Sequence, residues 1–206
     1  MKNILLFLGS PRRGGNTDIL AEAFTNGAKS VGASVERVRL MDLKFSPCIE
    51  CGGCDDSGTC ILKDDFTPFY KKMEEADVVV LSSPMFFYNI TAASQAMVER
   101  TQAFWVRQYV LKSGKIGGKT RDGIFLSAGA TKGKLLFEGS LRVMRYFFDA
   151  IGGSLEAAVL VRGVEKKGDI EKQPDVLESA ENLGKCAASG GDYSKVQGIW
   201  LPGGKS

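Results

Sequence analysis

One stretch near the amino terminus constrains the fold more than any other. From Asn3 to Thr17 an apolar run, Ile4-Leu5-Leu6-Phe7-Leu8, passes directly into Gly9-Ser10-Pro11-Arg12-Arg13-Gly14-Gly15-Asn16-Thr17. Five bulky apolar residues without alternation suit a strand covered on both faces, as in a parallel sheet. The loop that follows has the chemistry of an anion cradle. Its glycines let backbone N–H groups come close, Ser10 and Thr17 carry hydroxyls, and Arg12 and Arg13 carry forked cationic donors. Asn16 or Thr17 can cap the helix beginning there and aim its positive end at the same anion. A plain glycine-rich β-to-α turn is the blander reading, but donors, charge and cap converge on one loop and favour phosphate.

The rest of the chain repeats the strand-loop-helix theme. Ile19, Leu20, Ala23, Phe24, Gly27 and Val31 recur at helical spacing, and Gly32 ends that helix. Val35 to Leu40 predicts a strand near a sheet edge, with one wetter face. Asp64 or Asp65 caps a helix running to about Glu75. Val78-Val79-Val80-Leu81 predicts the next buried strand, followed by the aromatic loop Ser82 to Ile90. A long helix is expected from Ala92 to Arg107, then a polar surface connection over Lys112 to Asp122. Gly123 to Ala128 predicts a fourth strand, Leu135 to Ile151 a helix, Leu155 to Val161 a fifth strand, and Pro174 to Ala188 a last helix.

Strands alternating with helices imply right-handed crossovers, and so an α/β fold with a doubly wound parallel sheet in three α/β/α layers. Five strands suit the order 2-1-3-4-5, whose switch point lies between the first and third strands. Ser10 to Thr17, Pro84 to Asn89 and Ala128 to Gly133 then meet at one sheet edge. One loop suits phosphate, one is aromatic, and one is small and backbone-rich, a division of labour that fits a phosphorylated planar cofactor.

With 206 residues and 44% hydrophobic content, one core is expected. Residues 1–165 form the expected domain, with a cysteine-bearing insertion at 46–63 and a helical or irregular tail at 166–206. A net charge of +3 without a long basic block gives no footprint for nucleic acid. The opening apolar run is too short to span a membrane and lacks signal-peptide features, so a cytoplasmic location is expected.

Five cysteines are present, four within Cys48-Ile49-Glu50-Cys51-Gly52-Gly53-Cys54 and Cys60. Such clustering suits reduced ligands or reactive thiols better than a disulfide framework. The spacing C-x2-C-x2-C-x5-C lets three thiolates wrap one corner of an iron-sulfur cubane. Zinc is the next metal candidate, and a reduced, empty loop over the cofactor is weighed ahead of zinc. Cys186 stands alone and reads as a small buried hydrophobe. Arg100 and Arg107, two helical turns apart, read as a solvated face. The sequence contains no histidine.

Gly9-Ser10-Pro11-Arg12 with Asn16-Thr17, the Ser83-Pro84 loop and the intervening cysteines resemble the NADPH-dependent FMN reductase family of flavodoxin-like proteins, and within it the iron-sulfur flavoproteins. The resemblance covers about Met1 to Ile151. It implies that Ser10, Arg12, Asn16 and Thr17 hold the phosphate of FMN, and that Pro84, Met85, Phe86, Phe87, Tyr88 and Asn89 lie along the isoalloxazine ring. Ala128 and Gly129 would cover the pyrimidine side, and Cys48, Cys51, Cys54 and Cys60 would ligate a 4Fe-4S cluster. Many relatives carry a glycine just after the aromatic of the second loop, where this chain has Phe87-Tyr88-Asn89.

The expected activity is an FMN-dependent oxidoreductase that accepts hydride from NAD(P)H, or electrons from a reduced carrier, and delivers them to a small-molecule acceptor or redox protein. A homodimer or homotetramer is expected, with Phe104 to Tyr109 as a contact. The rival is a non-catalytic flavin-binding or redox-sensing module whose cysteines respond to oxidation or bind zinc.

Overall fold

The computed structural model describes residues 1–203. Its sheet has five parallel strands, β1 (Asn3–Leu8), β2 (Ser34–Arg39), β3 (Val78–Pro84), β4 (Arg121–Gly129) and β5 (Gly153–Arg162), in the expected order β2-β1-β3-β4-β5. Alternate residues of the inner strands face opposite layers. Leu5, Phe7, Val79, Leu81 and Phe125 pack with α2 (Thr67–Glu75), α3 (Ala92–Arg100), α4 (Gln102–Trp105) and α5 (Glu138–Ala150). Ile4, Leu6, Leu8, Val78, Val80, Ile124 and Leu126 pack with α1 (Asn16–Ser30) and α6 (Pro174–Ser189). An unbroken apolar strand therefore serves two cores at once, which is why β1 shows no alternation. At the edge, β2 buries little more than Val38, as its charged alternation implies.

Helices α1 and α6 touch backbone to backbone. A Cβ added at Gly27 would lie 1.9 Å from the Glu181 carbonyl oxygen, and one at Gly184 would lie 2.1 Å from that of Phe24. Beyond α6 the chain returns to the sheet, where Trp200 and Ala158 exchange backbone hydrogen bonds of 2.9 and 2.7 Å along the outer side of β5. That contact covers part of an otherwise open edge.

Three expectations are corrected. The helix over 92–107 is not continuous. It breaks at Thr101, whose hydroxyl donates to the Val98 carbonyl at 2.6 Å while the Arg100 carbonyl accepts from the Tyr70 hydroxyl at 2.8 Å, and the next turns widen into a π-helical stretch at Val106–Val110. The helix expected from Leu135 begins at Glu138, because 133–138 forms tight turns first. The connection over 112–122 is not all surface: β4 starts at Arg121, which is buried and donates to the carbonyls of Ile151, Ile116 and Glu74.

Candidate functional site

The β1–α1 loop is held from behind. The Ser10 hydroxyl accepts from the Arg12 N–H at 3.1 Å and donates to the Arg12 carbonyl at 3.2 Å, closing a small turn. Gly9 is packed so tightly that an added Cβ would lie 2.0 Å from Ser94 Oγ. The expected side-chain cap by Asn16 or Thr17 does not form; Gly15 occupies the N-cap position without one. Asn16 instead donates to the Lys166 carbonyl at 3.0 Å and accepts from the Ile170 N–H at 3.2 Å, stapling the loop to the segment after β5. Asp18 takes over the end of the helix, accepting from the Gly14 N–H at 2.8 Å and pairing with Arg39 at 2.6 Å. The backbone N–H groups of Asn16 and Thr17, in the first turn of α1, find no partner among the described residues. They are donors available to an anion.

The three loops expected to converge do so at the carboxyl ends of β1, β3 and β4. Ser10, Arg12, Asn16, Thr17, Pro84, Met85, Phe86, Ala128 and Gly129 line one cleft of about 170 Å³. Phe87, Tyr88 and Asn89 do not line it. They form a hairpin in which the Phe86 N–H donates to the Asn89 carbonyl at 2.8 Å and the Asn89 N–H donates to the Phe86 carbonyl at 3.0 Å. Phe87 and Tyr88 both take positive φ, 49° and 61°, where glycine would be unstrained. The turn leaves Phe87 wholly exposed, at 102%. Arg13 is turned away, bound to Asp42 at 2.6 Å. Sequence reasoning missed Val164, Glu165 and Lys167, which line the same cleft. A Cβ at Gly14 would lie 3.2 Å from Lys167 Nζ. The signal was available: β5 is parallel to the others, so its exit must reach the same sheet edge.

The cysteines define a second cavity, of about 620 Å³, lined by Cys48, Cys51, Cys54 and Cys60 together with Arg100. All four thiols are free. Among the described residues no three potential ligands are gathered as a bound metal ion would hold them. The donor set nevertheless suits a soft metal group, since four cysteines line one cavity and histidine is absent. Burial pushes the Cys54 thiol up, and the charge of Asp55 adds to the effect. Gly58 has φ +63°, and a Cβ there would meet the Arg107 side chain at 1.9 Å, so the turn before Cys60 needs glycine.

Neither arginine of α3 and its continuation is a solvated face. Arg107 pairs with Glu74, and Arg100 is 1% exposed and bound to Asp64 at 2.5 Å. Neither Asp64 nor Asp65 caps α2 as expected; Phe66 holds the N-cap position without a side-chain cap. Burial alone would raise the Asp64 carboxyl, yet the hydrogen bond and charge of Arg100, with the N–H groups of Phe66 and Ser46, hold it below the usual carboxylate range. Burial raises the Tyr70 phenol far above its ordinary value, reinforced by a hydrogen bond with Cys60.

A doubly wound sheet with a phosphate-suited loop, an aromatic hairpin and a small-residue loop at its switch point defines a flavodoxin-like nucleotide-cofactor protein. The chain belongs to the NADPH-dependent FMN reductase family, whose model matches residues 2–151, and it is an FMN-dependent oxidoreductase. It is 29% identical over 187 residues to an iron-sulfur flavoprotein of Methanocaldococcus jannaschii, covering 87% of this chain and 92% of that protein. An iron-sulfur flavoprotein of Archaeoglobus fulgidus is 33% identical over 111 residues, 54% of this chain and 50% of the other, so this match spans about half of that relative. Among solved structures, an NAD(P)H:quinone oxidoreductase from Methanothermobacter marburgensis shares the fold with a TM-score of 0.67 at 17% identity, covering 90% of this chain and 95% of that one. No helix among the described residues is long and apolar enough to cross a membrane.

Proposed function

We propose that this oxidoreductase is of the iron-sulfur flavoprotein type, passing electrons between NAD(P)H or a reduced carrier and a small acceptor or redox protein. The carrying observation is the pairing of two differently built sites in one domain: a donor-rich cleft at the switch point and a cavity walled by four cysteines. The cleft is smaller than the roughly 300 Å³ at which pockets begin to enclose a drug-sized ligand. It therefore suits the phosphate end of FMN, with Ser10, Arg12, Thr17 and the α1 amides as donors. The ring would lie along Met85 to Tyr88, with Ala128 and Gly129 close to its pyrimidine edge. FMN supplies hydride acceptance and one-electron release, and a 4Fe-4S cluster held by Cys48, Cys51, Cys54 and Cys60 would supply one-electron transfer. The chain's own task is to bind, orient and shield. It brings no histidine to the reaction, and the titratable side chains lining the cleft are Arg12, Glu165 and Lys167.

A symmetric homodimer or homotetramer is part of this reading. Trp105 and Tyr109 pack with ring centroids 5.8 Å apart at a 37° tilt and are both about two-fifths exposed, an aromatic surface suited to a second copy. A reducing cytoplasmic compartment suits the free thiols.

The test is protein purified without oxygen. The reading expects bound FMN, about four iron and four sulfide per chain, and NAD(P)H oxidation with a quinone or ferric acceptor above the free-flavin background. In Cys51→Ala the cluster absorbance should vanish while FMN stays. Stoichiometric flavin with no iron after reconstitution would overturn the cluster. Bound flavin without NAD(P)H turnover would favour a redox-sensing module instead.

A further inference from the structure

The residue that no motif explains is Arg100. It is the last residue of α3 and is almost wholly buried, yet it is among the residues lining the cysteine cavity. Burying a cation costs several kcal/mol unless it is paired and fully hydrogen-bonded, and an apolar side chain of similar length would fill the space at less cost. Here the pairing is complete. Nη1 donates to the Ser46 carbonyl at 3.0 Å and to Asp64 Oδ2 at 2.5 Å, Nη2 donates to Asp64 Oδ1 at 3.3 Å, and Nε donates to the Tyr70 hydroxyl at 3.2 Å. The plane of the group also sits over the Phe66 ring, 5.4 Å from its centroid.

Those partners have a particular place in the chain. Ser46 lies two residues before Cys48 and Asp64 four residues after Cys60, so one guanidinium bonds to both ends of a loop that carries all four thiols. Within the loop, ordered hydrogen bonds are few: Asp55 N–H to the Gly52 carbonyl, Gly58 N–H to the Cys54 carbonyl, and Thr59 N–H to Ser57 Oγ. At its base the two ends already meet, Lys44 N–H donating to Asp65 Oδ2 at 2.7 Å and Ser46 N–H to Asp64 Oδ2 at 3.4 Å, and Thr67 Oγ1 donates to the Leu62 carbonyl at 3.2 Å. Arg100 adds the tie to α3, a helix anchored in the core by Met97.

Charge gives the second half of the argument. Among the residues lining the cavity, Glu50, Asp55 and Glu99 are acidic and Arg100 is the one cation. Four thiolates around a metal group add negative charge, and each electron accepted adds more. Asp64 neutralises the guanidinium as a pair, but Arg100 lines the cavity and Asp64 does not, so the pair turns its positive end toward the thiolates and favours the more negative state.

We propose that Arg100 is the positioning residue of the cysteine cavity, clasping the two ends of loop 46–64 and raising the reduction potential of a thiolate-held metal cluster there. The charge half of this proposal rests on the cluster reading above; the clasp does not. The variants are Arg100→Lys, which keeps the charge but loses the fork, and Arg100→Met combined with Asp64→Asn, which removes both charges so that no carboxylate is left buried alone. Hydrogen exchange is followed over residues 47–63 in metal-free, FMN-loaded protein, and the cluster's midpoint potential is followed by anaerobic redox titration after reconstitution. In the double variant, exchange at the hydrogen-bonded loop amides of Asp55 and Gly58 should rise about tenfold or more, as expected for losing charge-assisted hydrogen bonds, while β3 and β4 stay protected. Its cluster should titrate at a more negative potential. Arg100→Lys should restore most of the potential and little of the loop protection. Unchanged loop exchange in the double variant overturns the clasp, and an unchanged potential overturns the charge role. If wild-type protein takes up no iron, the charge role falls with the cluster reading, and exchange still decides the clasp.

Discussion

Replacing the cations of the cleft should separate FMN from riboflavin, which differ only in the phosphate. Arg12 lines the cleft, and its guanidinium is held only by a long 3.4 Å bond from Nη1 to the Glu165 carbonyl, so it is free to turn onto an anion. A charge-assisted hydrogen bond contributes about 1.5–3 kcal/mol, and tenfold in affinity corresponds to about 1.4 kcal/mol. Arg12 is itself exposed, so the lower end of that range applies, and Arg12→Ala should weaken FMN by about tenfold. Lys167 is exposed, and exposed ion pairs contribute at most about 1 kcal/mol. Lys167→Met should cost only about fivefold, and that difference should shrink as added salt shortens the screening length. The assay is fluorescence titration of flavin-free protein with each ligand at low and high salt. Riboflavin affinity should stay level in both variants. Equal losses for FMN and riboflavin, or no loss for either in Arg12→Ala, would refute the assignment of this loop to the phosphate.

In Gly27→Ala, alanine's better helix propensity gains about 1 kcal/mol, but the new Cβ would sit 1.9 Å from a backbone oxygen of α6 that has nowhere to go. Overpacking of about 1–3 kcal/mol or more should win, and a raised melting temperature would contradict the backbone contact of α1 and α6. Burial alone would raise the Asp77 carboxyl, but Lys119 at 2.5 Å and the Asn3 N–H at 2.8 Å lower it below its usual value. A carboxyl lowered in the folded state contributes stability above its unfolded pKa, near 3.8, that is lost as pH falls through the folded value. Asp77→Asn should therefore flatten the fall in urea midpoint on acidification through that range, and an unaltered slope would count against the pair. Light scattering at micromolar concentration should show a dimer or tetramer that Trp105→Glu weakens, whereas a monomeric, FMN-loaded wild-type protein would remove the proposed contact.

The sheet was legible because its signals are local and repeated. Ile4 to Leu8 and Val78 to Leu81 are apolar without alternation because each faces two cores, and right-handed crossovers then leave few orders for five strands. The β1–α1 loop's place in the cleft was legible because its donors lie in one continuous run. Arg12 and Arg13 are neighbours of identical chemistry, however, and only the position of Asp42, 29 residues from Arg13, turns one away from the cleft. Lys167 reaches the site from beyond the last strand, and Asn16 serves that segment rather than its own helix. Arg100 and Asp64, 36 residues apart, look in the sequence like a surface cation and a helix cap. Periodicity and spacing describe what a residue does to its near neighbours. Which charges meet in the interior depends on how the layers stack, and that is decided only when the chain closes on itself.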